Sequence, residues 1–261
     1  FIHPFDDENV IAGQGTIGLE LLDQLPDVEA VVVPVGGGGL ISGVAYAVKS
    51  LNPNVKVYGV QASGAPSMVN SLHDHKQEKL AKVSTIADGI AVKEPGSVTF
   101  DICSRYVDDI VTVSEDEICA AILHLIESEK MVAEGAGAAS VAAVMFNKVP
   151  VKGKKTICVV SGGNIDVTIL SRVINRGLAK SGRICTLIIE LADKPGQLLK
   201  VCQVIAAQGG NIVSVYHERN NDSKKVTDCV LRLSVETKNQ EHVESITKAL
   251  TDNGLKIREN I

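Results

Sequence analysis

The chain contains no tryptophan, and its four tyrosines and four phenylalanines leave aromatic residues at only 3%. That scarcity excludes the stacking platforms on which single-stranded nucleic acids are held. A basic run is absent too. The 26 Lys and Arg against 31 Asp and Glu give a formal net charge of −5, so no nucleic acid partner is expected. No apolar stretch approaches a membrane span, because polar residues interrupt every run. The six cysteines (Cys103, Cys119, Cys158, Cys185, Cys202, Cys229) stand singly, without a CxxC pair. They read as reduced, mostly buried thiols of a cytoplasmic protein rather than a disulfide framework. The rest, 45% hydrophobic and 22% charged, is a folded composition long enough for one large domain or two smaller ones.

The opening FIHPF (1–5) has neither Met nor a signal-peptide pattern and reads as a strand cut from a longer protein. Residues 29–35 (EAVVVPV) form a β-branched run, expected as a buried strand, and a helix over 40–51 follows. Residues 56–62 (KVYGVQA) are the next strand, which makes a strand–helix–strand unit and implies a parallel sheet. A third strand is expected at 109–113. Ser114 and Glu117 then supply a capping box for a helix through about Ser128. An Ala-rich helix over 134–146, a strand over 155–161 and a helix over 166–179 complete this part. Beyond Lys180-Ser181-Gly182 the pattern changes to strands at 184–191, 211–218 and 226–236, helices at 195–208 and 240–252, and a short last strand at 255–258. That order, βαββα(β), predicts a small α+β sandwich with its helices on one face, and places a boundary near residue 181.

Gly36, Gly37, Gly38 and Gly39 lie between a buried strand and the helix opening at Leu40. Bare backbone N–H groups and the positive end of a helix dipole form an anion site suited to phosphate. A loose turn is the blander reading, but four glycines are a costly way to make one. A dinucleotide fingerprint fails here. Its third glycine would fall on Ile41 or Ser42, and the next strand ends in Gln61-Ala62 rather than an acid. No GK[ST] follows, which rules out a P-loop. A second loop, Ser161-Gly162-Gly163-Asn164, ends another strand, where ligands of open parallel sheets sit; alone it reads as a helix start capped by Asn164 or Asp166.

Taken together, GGGGL (36–40), ADGIAVK (87–93), EGAGA (134–138) and SGGN (161–164) occur in this order in pyridoxal-phosphate (PLP) enzymes of the tryptophan-synthase β-subunit fold. The chain resembles the threonine dehydratases (threonine ammonia-lyases) and serine racemases of that fold over about residues 1–181. The opening FIHPFDDENVIAGQGTIGLEL is similar to the segment joining the family's two catalytic subdomains. The resemblance implies an α/β fold with an open parallel sheet, of which this chain holds part. It implies PLP as cofactor, its phosphate on the backbone of Gly36, Gly37, Gly38, Gly39 and Leu40 and its pyridine nitrogen on the Ser161 hydroxyl. Gly89, Glu134, Gly162 and Asn164 match positions close to the cofactor. A neutral hydroxyl at the ring nitrogen makes a weaker electron sink than an acid would. The implied reaction is β-elimination: threonine to 2-oxobutanoate and ammonia, or serine to pyruvate. The family's covalent cofactor lysine lies in a Ser-Phe-Lys-type motif that this sequence lacks. Lys49, Lys154 and Lys155 are not expected to replace it. No catalytic residue is therefore assigned, and the chain alone is expected to be inactive.

Serine racemases place two acids and a carbonyl as metal ligands just after the second strand; residues 61–67 (QASGAPS) offer Gln61 and Ser67 instead. Hard divalent cations prefer carboxylates, so no metal is expected there. His73, Asp74 and His75 read as a solvated loop.

Residues 182–261 resemble an ACT regulatory domain, through DKPGQLLKV (193–201) and GGNIVSV (209–215). That resemblance implies a regulatory amino acid at Pro195, Gly196, Gln197, Leu198, Asn211 and Ile212. By analogy the effector is branched-chain, isoleucine or valine, as suits isoleucine biosynthesis. The blander reading has Pro195 and Gly196 merely starting a helix. ACT domains and the catalytic fold both imply a homo-oligomer, a dimer or tetramer. Two other readings stay open: a serine racemase or serine dehydratase of the same fold, and a non-catalytic amino-acid sensor.

Overall fold

In the computed structural model, residues 2–219 and 228–258 are described. The chain divides into two units, Phe1–Val173 and Ile174–Ile261, with the division inside one helix.

Every residue of the first strand, β1 (Ala30–Pro34), is buried. A strand is buried throughout when layers cover both faces of its sheet. Its side chains alternate between them: Ala30 and Val32 join one apolar cluster, Val31 and Val33 the other. β2 (Lys56–Ala62), β3 (Asp109–Val113) and β4 (Thr156–Cys158) complete a parallel sheet in the order β3-β2-β1-β4. One layer comes from α1 (Glu8–Gln24), α2 (Gly39–Leu51), α3 (Ser67–His73) and α4 (Ser97–Tyr106), which place Leu21, Ile41, Met68 and Cys103 in one cluster. The opposite layer comes from α5 (Glu115–His124), α6 (Gly135–Met145) and α7 (Val167–Lys180), through Ile118, Ala139 and Val173. The small residues of α6 bury eight of its eleven positions, five of them alanines within that cluster.

Chain order reverses between β1 and β4. From β1 the chain moves outward to β2 and β3; it returns to β4 on the other side. Such a reversal opens a crevice at the C-terminal ends of the two strands. β4 stops early: Val159 donates a last backbone hydrogen bond to the Val32 carbonyl at 2.9 Å, and the chain then leaves the sheet.

The opening does not form the expected strand. Residues 2–7 are irregular, because the His3 imidazole accepts from the Asp6 N–H at 2.9 Å and folds the segment locally. Phe1 and, in the expected strand over 226–236, Val226 and Thr227 lie outside the described residues. The capping box is present: Ser114 Oγ accepts from the Glu117 N–H while the Glu117 carboxylate accepts from the Ser114 N–H. The helix it starts ends at His124 and gives way to a wider π-helical turn, Leu125–Glu129, closed by Lys130 in the left-handed region.

The second unit holds β5 (Ile184–Ala192), α8 (Gln197–Ala207), β6 (Asn211–Glu218), β7 (Asp228–Glu236), α9 (Gln240–Asp252) and β8 (Lys256–Arg258). Its antiparallel sheet runs β6-β7-β5-β8. Both helices deliver Val201, Ile205, Ile246 and Leu250 to one core with Leu231 and Leu233. This is the expected βαββαβ order. Among the described residues, no helix is long and apolar enough to cross a membrane.

Candidate cofactor site

A cleft of ≈ 350 Å³ opens at the chain reversal, with Gly36, Gly37, Gly38, Gly39 and Leu40 on one side and Gly89, Glu134 and Ser161 on the other. Register explains the convergence. Val32 pairs with Cys158, so the loops that follow β1 and β4 leave the sheet side by side.

The glycine loop is shaped from behind. Gly38 takes φ +101°, a conformation that side chains disfavour, and caps α2 with no side chain of its own. The buried Thr99 hydroxyl donates to the Gly37 carbonyl at 2.6 Å, and the Gly38 carbonyl accepts from Ser42 N–H at 2.9 Å. The carbonyls are thus spoken for. Among the described residues, none accepts from the N–H groups of Gly36 to Gly39. Uncommitted N–H groups at the positive end of a thirteen-residue helix fit a phosphate. Behind the loop, fully buried Gln61 donates to the Val35 carbonyl at 3.3 Å and accepts from the Met68 and Val69 N–H groups at 2.9 Å each. That amide ties the end of β1 to the start of α3.

On the far side, Glu134 bridges two loops. A Cβ placed on Gly162 would lie 2.4 Å from its carboxylate, and one on Gly89 would lie 3.4 Å away. Its N–H also donates to the Gly162 carbonyl at 3.1 Å. Ser161 lines the cleft and is exposed, so its hydroxyl is available to a ligand. Gly162 stands behind Glu134 rather than on the cleft wall. Asn164 is exposed and is not part of the lining, and Asp166 rather than Asn164 caps α7 by accepting from the Thr168 N–H at 2.7 Å.

Sequence reasoning missed Phe5. Its ring lies against the glycine loop: a Cβ on Gly37 would fall 2.3 Å from its carbons. It lines the cleft beside Pro4. Asp6, next in the chain, accepts from the N–H groups of Ser97 and Val98 at 3.0 and 2.9 Å and so caps α4.

No lysine lines the cleft among the described residues. Lys49 sits ten residues into α2, roughly 15 Å from its start, and pairs with Asp108 at 2.6 Å beside Lys56 at 2.7 Å. Lys155 pairs with Asp27 at the opposite sheet edge, and Lys154 lines a separate hollow there with Asn52. His73 closes α3 rather than lying in a loop, and pairs with Asp74, on the exposed turn that follows, at 2.7 Å.

In the second unit, Pro195, Gly196, Gln197 and Leu198 line a cleft of ≈ 450 Å³ with Asp193, His217 and Arg219. Asn211 and Ile212 are not part of it. They begin β6, roughly 20 Å from His217 at its other end. Asn211 donates to Glu236 at 2.8 Å, while Ile212 packs on the core.

Comparison with known proteins gives this geometry a lineage. The chain is 52% identical over 258 residues to L-threonine ammonia-lyase of Thermotoga maritima, covering 99% of this chain and 64% of that protein. The processed form of threonine deaminase isoform 2 from Solanum lycopersicum superposes with a TM-score of 0.64 at 43% identity, over 67% of this chain and 52% of that one. Serine racemase from Dictyostelium discoideum gives 0.59 at 41%, over 64% and 54%. The chain spans less than two thirds of the length of such curated relatives. Residues 181–253 match the ACT domain. Residues 1–163 match the family described as pyridoxal-phosphate dependent enzyme, and the chain belongs to that family.

Proposed function

We propose that this chain carries the phosphate- and ring-binding half of a threonine dehydratase, and that the whole protein converts threonine to 2-oxobutanoate and ammonia. One observation supports this most: the uncommitted N–H groups of Gly36 to Gly39 and the exposed Ser161 hydroxyl face one cleft at the chain reversal. Bound PLP supplies the electron sink for removal of an α-proton and loss of a β-hydroxyl. The chain's own residues hold and orient it. The glycine loop and the α2 dipole take the phosphate dianion; Ser161 gives the ring nitrogen a neutral partner; Glu134 fixes the spacing between the Gly89 and Ser161 loops. A neutral partner suits expulsion of a hydroxyl over long-lived carbanion chemistry.

Gln61 favours a dehydratase over a metal-dependent racemase. Both of its amide atoms are committed to backbone groups, and Ser67 supplies a hydroxyl where a hard cation wants a carboxylate. We assign residues 1–181 to the catalytic domain and 182–261 to an ACT regulator, placed in the cytoplasm, that takes a branched-chain amino acid against Pro195 to Leu198. The protein acts as a homo-oligomer.

A chain extended upstream to include a Ser-Phe-Lys-type lysine tests the reading. It should show PLP absorbance and release ammonia faster from L-threonine than from L-serine, without racemising either. An extended chain that binds no PLP would overturn the proposal. This chain alone should bind PLP reversibly and release no ammonia.

A further inference from the structure

The second unit's cleft, lined by Pro195 to Leu198, also brings together three side chains of metal-ligating type. Asp193 follows β5, His217 lies near the end of β6, and Cys229 is the second residue of β7, the strand between them. Their ligand atoms, a carboxylate oxygen, an imidazole nitrogen and a thiol sulfur, all lie within 4.8 Å of one another. Asp193 and His217 are exposed, while Cys229 is only 2% exposed. Cys229 also continues the inward-facing row of Leu231, Leu233 and Val235, and packing alone would accept a leucine there. An imidazole and a carboxylate lie beside its sulfur as well.

We infer that Asp193, His217 and Cys229 form a binding site for Zn²⁺ or a similar borderline-soft divalent cation, with a fourth coordination position open to the cleft. Thiolate and imidazole select such ions over Mg²⁺ and Ca²⁺. Tetrahedral zinc bonds of 2.0–2.3 Å set ligand atoms roughly 3.3–3.8 Å apart, against the 4.8 Å within which these three lie, and two of the three side chains are exposed. Asp193 pairs with Arg219 at 3.3 Å, an exposed contact that a divalent cation displaces. As the sulfur–metal bond forms, the Cys229 thiol gives its proton to solvent, and His217 binds as the neutral ring.

The chain as it stands, stripped with a chelator, tests this. Titration with Zn²⁺ against a chromophoric chelator should show one tight equivalent. Co²⁺ in its place should give a thiolate-to-metal charge-transfer band in the near ultraviolet, and Cys229→Ser should abolish that band. His217→Gln and Asp193→Asn change exposed residues and should not disturb the fold, which far-ultraviolet circular dichroism checks. Each should weaken Zn²⁺ by at least about tenfold, since losing even an outer partner of a ligand costs 10–100-fold. No uptake of Zn²⁺ by the parent chain, or unchanged affinity in His217→Gln, would sink the assignment.

Discussion

The Thr99 hydroxyl donates to the Gly37 carbonyl at 2.6 Å, and the Thr99 side chain is wholly buried. The same oxygen lies 3.2 Å from the Gly96 carbonyl. One side chain of α4 therefore holds the back of the glycine loop, sixty-two positions away in sequence.

Replacing Thr99 by valine keeps the shape and removes the donor. The Gly37 carbonyl keeps the Gly96 N–H at 3.2 Å, so the change removes one buried hydrogen bond and costs about 0.5–1.5 kcal/mol. Urea unfolding should register that loss, and PLP titration should show weaker binding because the loop loses its anchor. Unchanged PLP affinity would mean that Thr99 supports the fold and not the loop's shape.

Gly37→Ala should be damaging because of Phe5. The new methyl would meet three ring carbons at 2.3 to 2.4 Å. Overpacking of this kind costs about 1–3 kcal/mol. Phe5→Ala removes the obstacle, so the double variant should be more stable than the two single losses predict, by about 0.5–3 kcal/mol of coupling. Strict additivity in thermal unfolding would refute the contact.

Asp108 makes stability depend on acid. Burial would raise its pKa, but the Lys49 and Lys56 ammonium groups and the Val57 N–H outweigh that and hold the carboxyl below its ordinary value of 3.8. The unfolded chain therefore binds this proton more readily than the folded one. The stabilisation is present above about pH 4 and is lost as pH falls through the lower, folded value. Asp108→Asn should melt earlier than the parent at neutral pH and converge with it in acid. Parallel melting curves at all pH values would disprove the link.

Two thiols should be inert. Burial pushes Cys103 up to about 12, only partly countered by the Ser42 hydroxyl 3.6 Å away, and pushes Cys158 up to about 11. At about pH 8, where an ordinary cysteine is partly thiolate, iodoacetamide should leave both unlabelled in the native chain and label both in urea. Peptide mass mapping reads the result.

Local chemistry was legible in the sequence, and contacts across distance were not. β2 and β3 occupy the residues their β-branched patterns mark, and Ser114 and Glu117 make the capping box their spacing announces. The glycine loop and the Glu134 and Ser161 loops, which line one cleft, were visible as motifs because glycine runs and strand ends are local signals. α1 was not read as a helix, since Gly13, Gly15 and Gly18 weaken its helical pattern. α4 has no side-chain cap of its own next to Gly96; its cap is Asp6, ninety-one residues from Ser97. Phe5 escaped notice for the same reason, since only the fold shows Gly37 beneath its ring. Asn211 looked close to Pro195 through motif order alone, but the length of β6 keeps them apart.

Gly38 starts α2 without a side-chain cap, and the N–H groups before and after it find no acceptor in the described chain. A phosphate placed there would complete the helix as a capping residue normally does. The cofactor would then act as a detachable piece of secondary structure. Its departure should loosen the first turn of α2, and amide exchange there should report cofactor occupancy without any turnover. Ligand concentration would set the melting temperature through the same few N–H groups that recognise it.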